Sequence, residues 1–204
     1  SGHQVSYGLE AAGVLAACVA KAFEPNVTVE AILQTALTYA KDGTKMAIEA
    51  VLNCVDTLSK DTHSYDEIVA ALHEAIAPYS PMGDDVHRKL EKVGLPSNHY
   101  TPSRLFSIEE LPLALAFIKL NKGAFYESIY DGINSGRDTD SIGVMAGVIL
   151  GAMYGESVIN EDDVKLLSET NRIDFDDAAL RFSNIAKAII QEDIETALNR
   201  QQII

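Results

Sequence analysis

Positive charge is scarce in this chain. Sixteen Lys and Arg stand against 30 Asp and Glu, a formal net charge of −14 over 204 residues. A surface that neutralises phosphates along a nucleic acid strand needs the opposite balance, and an anionic membrane repels this one. A small phosphorylated ligand is still compatible with an acidic chain when a bound divalent cation reverses the local field. The charge therefore restricts macromolecular partners, with no nucleic acid and no membrane expected, more than it restricts substrates.

Cysteine is nearly absent too. Cys18 and Cys54 sit in apolar helical patterns with no CxxC or Cys/His spacing, which predicts buried free thiols and a reducing, cytoplasmic compartment. The longest uncharged apolar run, Ile142 to Tyr154, is too short to span a bilayer. Ser1-Gly2-His3-Gln4 leads to Glu10 with neither a basic nor an apolar signal-peptide region. Asn26-Val27-Thr28 fits a glycosylation sequon, but nothing else points to secretion, so it carries no weight. Finally, no run of period-two alternation is long enough to build a sheet, and the expected class is all-α, one multi-helix domain over 1–204.

What remains is helical periodicity. Tyr7–Phe23 reads as an Ala-rich helix stopped near Pro25, and Thr28 opens a second that ends near Lys41. Gly43 is expected to separate it from a third at Lys45–Leu58. Ser64 with Glu67 forms a capping box for a helix to about Ala77. From Pro78 to Pro102 four prolines and two glycines surround one short amphipathic piece, Asp84–Val93, which predicts a surface excursion of the kind that often carries function. Ser107 with Glu110 then caps a helix through Asn121 with Pro112 near its start. Helices at Ala124–Ile133, Asp162–Glu169 and Asp176–Asn199 complete the reading, with one more from the motif below.

That motif is NSGRDTDSIGVMAGVILGAMYG, Asn134 to Gly155. Asp and Ser at a helix start usually satisfy free N–H groups and the helix dipole, so capping alone explains a bare DxDS. Yet Asp138, Asp140 and Ser141 exceed what one helix end needs, and two repelling carboxylates favour a cation. The turn Asn134-Ser135-Gly136 lets backbone approach a ligand closely. Gly143, Gly147, Gly151 and Gly155 each cost a helix up to about 1 kcal/mol, which predicts a glycine face against a very close neighbour.

The run SGRDTDSIGVMAGVILGAMYG resembles the carboxy-terminal signature of the ADP-ribosylglycohydrolase family, all-helical enzymes related to dinitrogenase reductase-activating glycohydrolase. That signature reads GGDTDT or GRDTDS before an apolar Gly/Ala-rich helix ending in YG. SRLFSIEELPLALAFIKLNKGAFYESIYDGINSGRDTD resembles the paired helices leading into it. YGLEAAGVLAACVAKAF is similar to the helix after the family's central histidine, and NRIDFDDAALRFSNIA to its ending. The likeness covers nearly the whole chain. Two family features have no counterpart, a GDALG-like opening stretch and a Thr-Asp-Asp motif. Asp84-Asp85 lacks the threonine and lies in the wrong part of the chain. The resemblance thus implies the carboxy-terminal half to two thirds of such a fold, without its amino-terminal segment.

By that resemblance, Asp138, Asp140 and Ser141 are half of the ligands of a two-metal site for Mg²⁺ or Mn²⁺, hard cations suited to oxygen donors. The implied reaction cleaves the C1 glycosidic bond of an ADP-ribosylated protein or small molecule. Its acid–base carboxylate is expected largely in the amino-terminal part, so no complete catalytic set is assigned. His3, by its spacing to Gly8, resembles the family's histidine near the ligand, the alternatives being a tag-derived or simply mobile residue. Ser103 and Phe106 fall where relatives approach adenosine, although core packing also explains Phe106. Gly136 belongs to the signature turn. Arg137, where many relatives have glycine, is left with three roles: pairing phosphate, pairing the acidic cluster, or standing in solvent. His63, His73, His87 and His99 lack metal-ligand spacing and read as surface or capping residues. Two functional classes follow, a metal-dependent ADP-ribosyl hydrolase that is incomplete or inactive as this chain alone, and a non-catalytic relative of the kind found among lens crystallins. Retention of both aspartates and the hydroxyl favours the hydrolase.

Overall fold

A computed structural model describes residues 7–79 and 107–201. His3, Ser103, Phe106, His87, His99 and the excursion beyond Tyr79 lie outside the described residues. Among the described residues there are nine α-helices, one 3-10 turn and no strand, so the chain is all-α. It divides into two compact units, 1–158 and 159–204.

The first unit contains α1 (Tyr7–Ala22), α2 (Val29–Tyr39), α3 (Asp42–Asp56), α4 (Tyr65–Ile76), α5 (Ser107–Leu120), α6 (Phe125–Asn134) and α7 (Thr139–Tyr154). Helix α5 is its axis. Ile108, Leu111, Leu113, Ala114, Leu115, Ala116, Phe117 and Ile118 are all fully buried, and the helix packs against α1, α2, α3, α4, α6 and α7. A helix that is apolar all round has no solvent face to offer, so it takes the centre. Against it come the apolar stripes of its neighbours, among them Ile32 and Leu33 of α2, Ile48 and Val51 of α3, and Ile142, Ile149 and Leu150 of α7.

Local caps set several boundaries as the residue pattern predicts. The Thr28 hydroxyl accepts the Ala31 N–H at 3.2 Å, and Ser64 and Glu67 exchange both bonds of the capping box. Gly43 does not separate helices; it lies inside the first turn of α3. The Lys41 side chain makes no cap bond there. Instead the Glu10 carboxylate reaches over from α1, accepting from the Lys41 N–H and, at 3.0 Å, from the buried Thr44 hydroxyl. A cap supplied from 31 residues upstream leaves no local signature. His73 is also a correction, since it faces the core at 4% exposure rather than the surface. Cys18 is buried and free, its thiol pushed up to about 12 by burial, whereas Cys54 is free but only half-buried.

Helices α6 and α7 interlock through two glycines. A Cβ on Gly132 would stand 2.9 Å from Ile142 Cγ2, and one on Gly143 would stand 2.8 Å from Ile133 Cγ1. The expected glycine face is otherwise not continuous. A Cβ on Gly147 would make an ordinary 3.5 Å contact with Ile129, and neither Gly151 nor Gly155 has an atom within 4 Å of that position. Gly155 ends the helix with φ +73° instead. At 3.6 residues per turn a four-residue spacing advances about 40° past a full turn each time, so four such glycines spiral off a single neighbour.

The second unit holds α8 (Glu161–Asn171) and α9 (Phe175–Gln201). Asn160 caps α8 through the Asp162 N–H at 2.8 Å, and Asp174 accepts the Asp177 N–H at 2.9 Å at the start of α9. Arg172, with φ +55°, turns the chain between them. No helix among the described residues is long and apolar enough to cross a membrane.

Candidate functional site

The chain passes from α6 to α7 in four residues, Ser135 to Asp138. The buried Ser135 hydroxyl donates to the Gly132 carbonyl at 2.7 Å, closing α6. Gly136 and Arg137 follow with φ +83° and +66°. Open space surrounds the position of a Gly136 Cβ, so the backbone angle, not crowding, calls for glycine there. Arg137 takes the same left-handed conformation with a Cβ, which is costly.

The Arg137 side chain turns inward. It is 3% exposed, and Nη1 lies 3.3 Å from Oε1 of Glu109, itself 2% exposed, in the first turn of α5. Of the roles open to it in the sequence, standing in solvent is ruled out by this burial. It pairs with an acidic residue, though one outside the DTDS motif. Glu109 Oε2 is buried and has no hydrogen-bond partner among the described residues.

Asp138 occupies the N-cap position of α7 without a side-chain cap bond. Its carboxyl is held below the usual carboxylate range by its polar neighbours, first the Asp140 side chain and then Glu110 and the Ser141 hydroxyl. The Ser141 N–H adds a smaller pull, although that contact falls short of capping geometry. Glu110 moves the other way. Burial, followed by its hydrogen bond to Asp138 and the charges of Asp138, Asp140 and Glu109, pushes its carboxyl up to about 8. At neutral pH Glu110 thus keeps its proton and donates it to the Asp138 carboxylate. The capping box expected of Glu110 with Ser107 rests on a side chain outside the described ones.

Structure therefore brings together three of the sequence candidates, Asp138, Asp140 and Ser141, and adds Glu110 from α5. Their donor atoms are all hard oxygens, the set preferred by Mg²⁺ or Mn²⁺. Yet no group of three or more His, Cys, Asp or Glu among the described residues is arranged to hold a metal ion unaided. The residues fit a divalent cation in chemical kind, as a partial ligand set.

A family model described as ADP-ribosylglycohydrolase matches residues 2–195. This chain belongs to the ADP-ribosylglycohydrolase family. No curated protein and no solved structure matches it. Membership supports a glycohydrolase-type function in general.

Glu109 and Glu110 are the acidic neighbours of this loop that sequence reading did not bring to it. A signal was available. An otherwise wholly apolar helix must be buried, so two acids in its first turn are carried inward with it and need partners there.

Proposed function

We propose that the chain acts as a metal-dependent ADP-ribosyl hydrolase, cleaving the N- or O-glycosidic bond of an ADP-ribosylated protein or small molecule and releasing ADP-ribose. Two observations support this reading, the family match over residues 2–195 and the gathering of hard-oxygen side chains, Asp138, Asp140 and Ser141, at the amino-terminal end of α7.

Asp138, Asp140 and Ser141 would hold Mg²⁺ or Mn²⁺. The ion, when bound, orients ribose hydroxyls and water and stabilises developing charge. In the metal-free protein Glu110 holds a proton beside Asp138, and the left-handed turn at Gly136–Arg137 sets the direction in which Asp138 leaves the loop. Further ligands and the acid–base carboxylate come from outside these residues in this reading, so the chain alone binds metal weakly and turns over little or no substrate.

The test is Mg²⁺ or Mn²⁺ binding together with ADP-ribose release, on this chain and on a form carrying upstream sequence. The longer form should bind metal and release ADP-ribose; failure at both overturns the proposal. Asp140→Ala should abolish the residual binding of the chain alone, and micromolar or tighter affinity surviving that change would refute the ligand assignment. The second reading, a non-catalytic ADP-ribose-binding or crystallin-like relative, draws on the lack of a self-sufficient metal cluster among the described residues. It expects ADP-ribose binding without release, or neither.

A further inference from the structure

Consecutive residues of α5 hold consecutive residues of the α6–α7 loop: Glu109 pairs with Arg137, and Glu110 with Asp138. Only the second pair involves a proposed ligand. The first is nonetheless the more deeply buried, at 2% and 3% exposure, and it is made by a residue whose backbone conformation suits glycine better. A side chain kept at a left-handed position must supply something that offsets that cost. Chain reversal alone does not require it, because glycine would make the same turn more readily.

We infer that the buried Glu109–Arg137 pair is a positioning device for the metal site, clamping the loop to the first turn of α5 so that Asp138 is presented to Glu110, Asp140 and Ser141. Arg137 is then a positioning residue and touches neither metal nor substrate. The rationale is geometric. Asp138 directly follows two left-handed residues, so a small rotation at either swings its side chain. A planar guanidinium fixed on a buried carboxylate at the neighbouring residue removes that freedom. Partners that orient metal ligands in this way typically carry 10- to 100-fold in metal affinity. The inference rests on the reading of Asp138, Asp140 and Ser141 as ligands.

Three proteins test it: wild type, the double variant Arg137→Gly with Glu109→Gln, and Arg137→Lys. The double variant removes both charges of the Glu109–Arg137 pair, and its glycine suits the backbone. Mn²⁺ affinity is read from the electron paramagnetic resonance signal of free Mn²⁺, and folding from circular dichroism melts. The expected result is a double variant that melts cooperatively near the wild-type temperature and binds Mn²⁺ at least tenfold more weakly. Arg137→Lys, which keeps the charge without the fork, should recover part of the loss. Wild-type Mn²⁺ affinity in the folded double variant overturns the clamp while leaving the ligand assignment intact. If the double variant does not fold, Arg137→Lys decides, with unchanged Mn²⁺ affinity overturning the clamp and a loss of threefold or more supporting it. Absence of Mn²⁺ binding by the wild type, with or without upstream sequence, overturns the ligand reading and the clamp together.

Discussion

Gly143 of α7 lies so close to Ile133 of α6 that a Cβ added to the glycine would stand 2.8 Å from Ile133 Cγ1 and 3.1 Å from its Cδ1. Alanine normally favours a helix over glycine by about 1 kcal/mol. Here the contact outweighs that gain. Gly143→Ala is expected to destabilise the protein by roughly 1 kcal/mol net, the overpacking cost exceeding the propensity. At Gly151, where no atom lies within 4 Å, the same change should stabilise by up to about 1 kcal/mol. Urea denaturation of the two variants should therefore shift in opposite directions.

Glu10 caps α3 from another helix, so its loss should be felt at a distance. Glu10→Ala frees the Lys41 N–H and the buried Thr44 hydroxyl together. A cost of about 1–2 kcal/mol is expected by analogy with lost N-caps. Chemical denaturation would measure it, and a change below a few tenths of a kcal/mol would contradict the cap.

Glu110 links stability to pH. Its carboxyl titrates at about 8 in the folded chain against an ordinary 4.5, so between those values the folded state holds a proton that the unfolded state has released. The stabilisation is fully present below about pH 4.5 and is lost as pH rises through about 8. In metal-free protein, wild type should lose stability relative to Glu110→Gln on going from pH 5 to pH 8.5, as read from urea melts at both values. A difference between the two proteins that does not change with pH would count against a shared proton.

The two thiols should react in sequence. Cys18 is buried, with its pKa pushed up to about 12, and its Sγ lies 3.8 Å from the Ile32 carbonyl oxygen. Cys54 is half-buried and raised by burial and by the Glu74 charge. An aromatic disulfide reagent at pH 8 is expected to modify Cys54 slowly and Cys18 only on unfolding. Mass mapping of singly labelled protein would reveal the order.

Much of the fold could be read from local signals, because Thr28, Ser64 and Asn160 cap helices through their own next residues. Periodicity likewise located α1, α6 and α9 within a few residues. The failures share one cause, namely partners far away in sequence. Gly43 sits inside a helix because Glu10 comes from 31 positions earlier to cap it. Arg137 is buried because Glu109 meets it from α5, 28 positions away. The DTDS motif marks the α7 start, while the approach of Glu109 and Glu110 from α5 depended on tertiary packing that no spacing encodes.

Helix α5 also bears on how the site opens. Its residues Leu113–Ile118 are fully buried and it touches every other helix of its unit, so the amides of that stretch should exchange with solvent only when the whole unit unfolds. The first turn that carries Glu109 and Glu110 is thus anchored to the slowest-exchanging part of its unit. Under the proposed function, any rearrangement that admits substrate falls to the elements facing that turn.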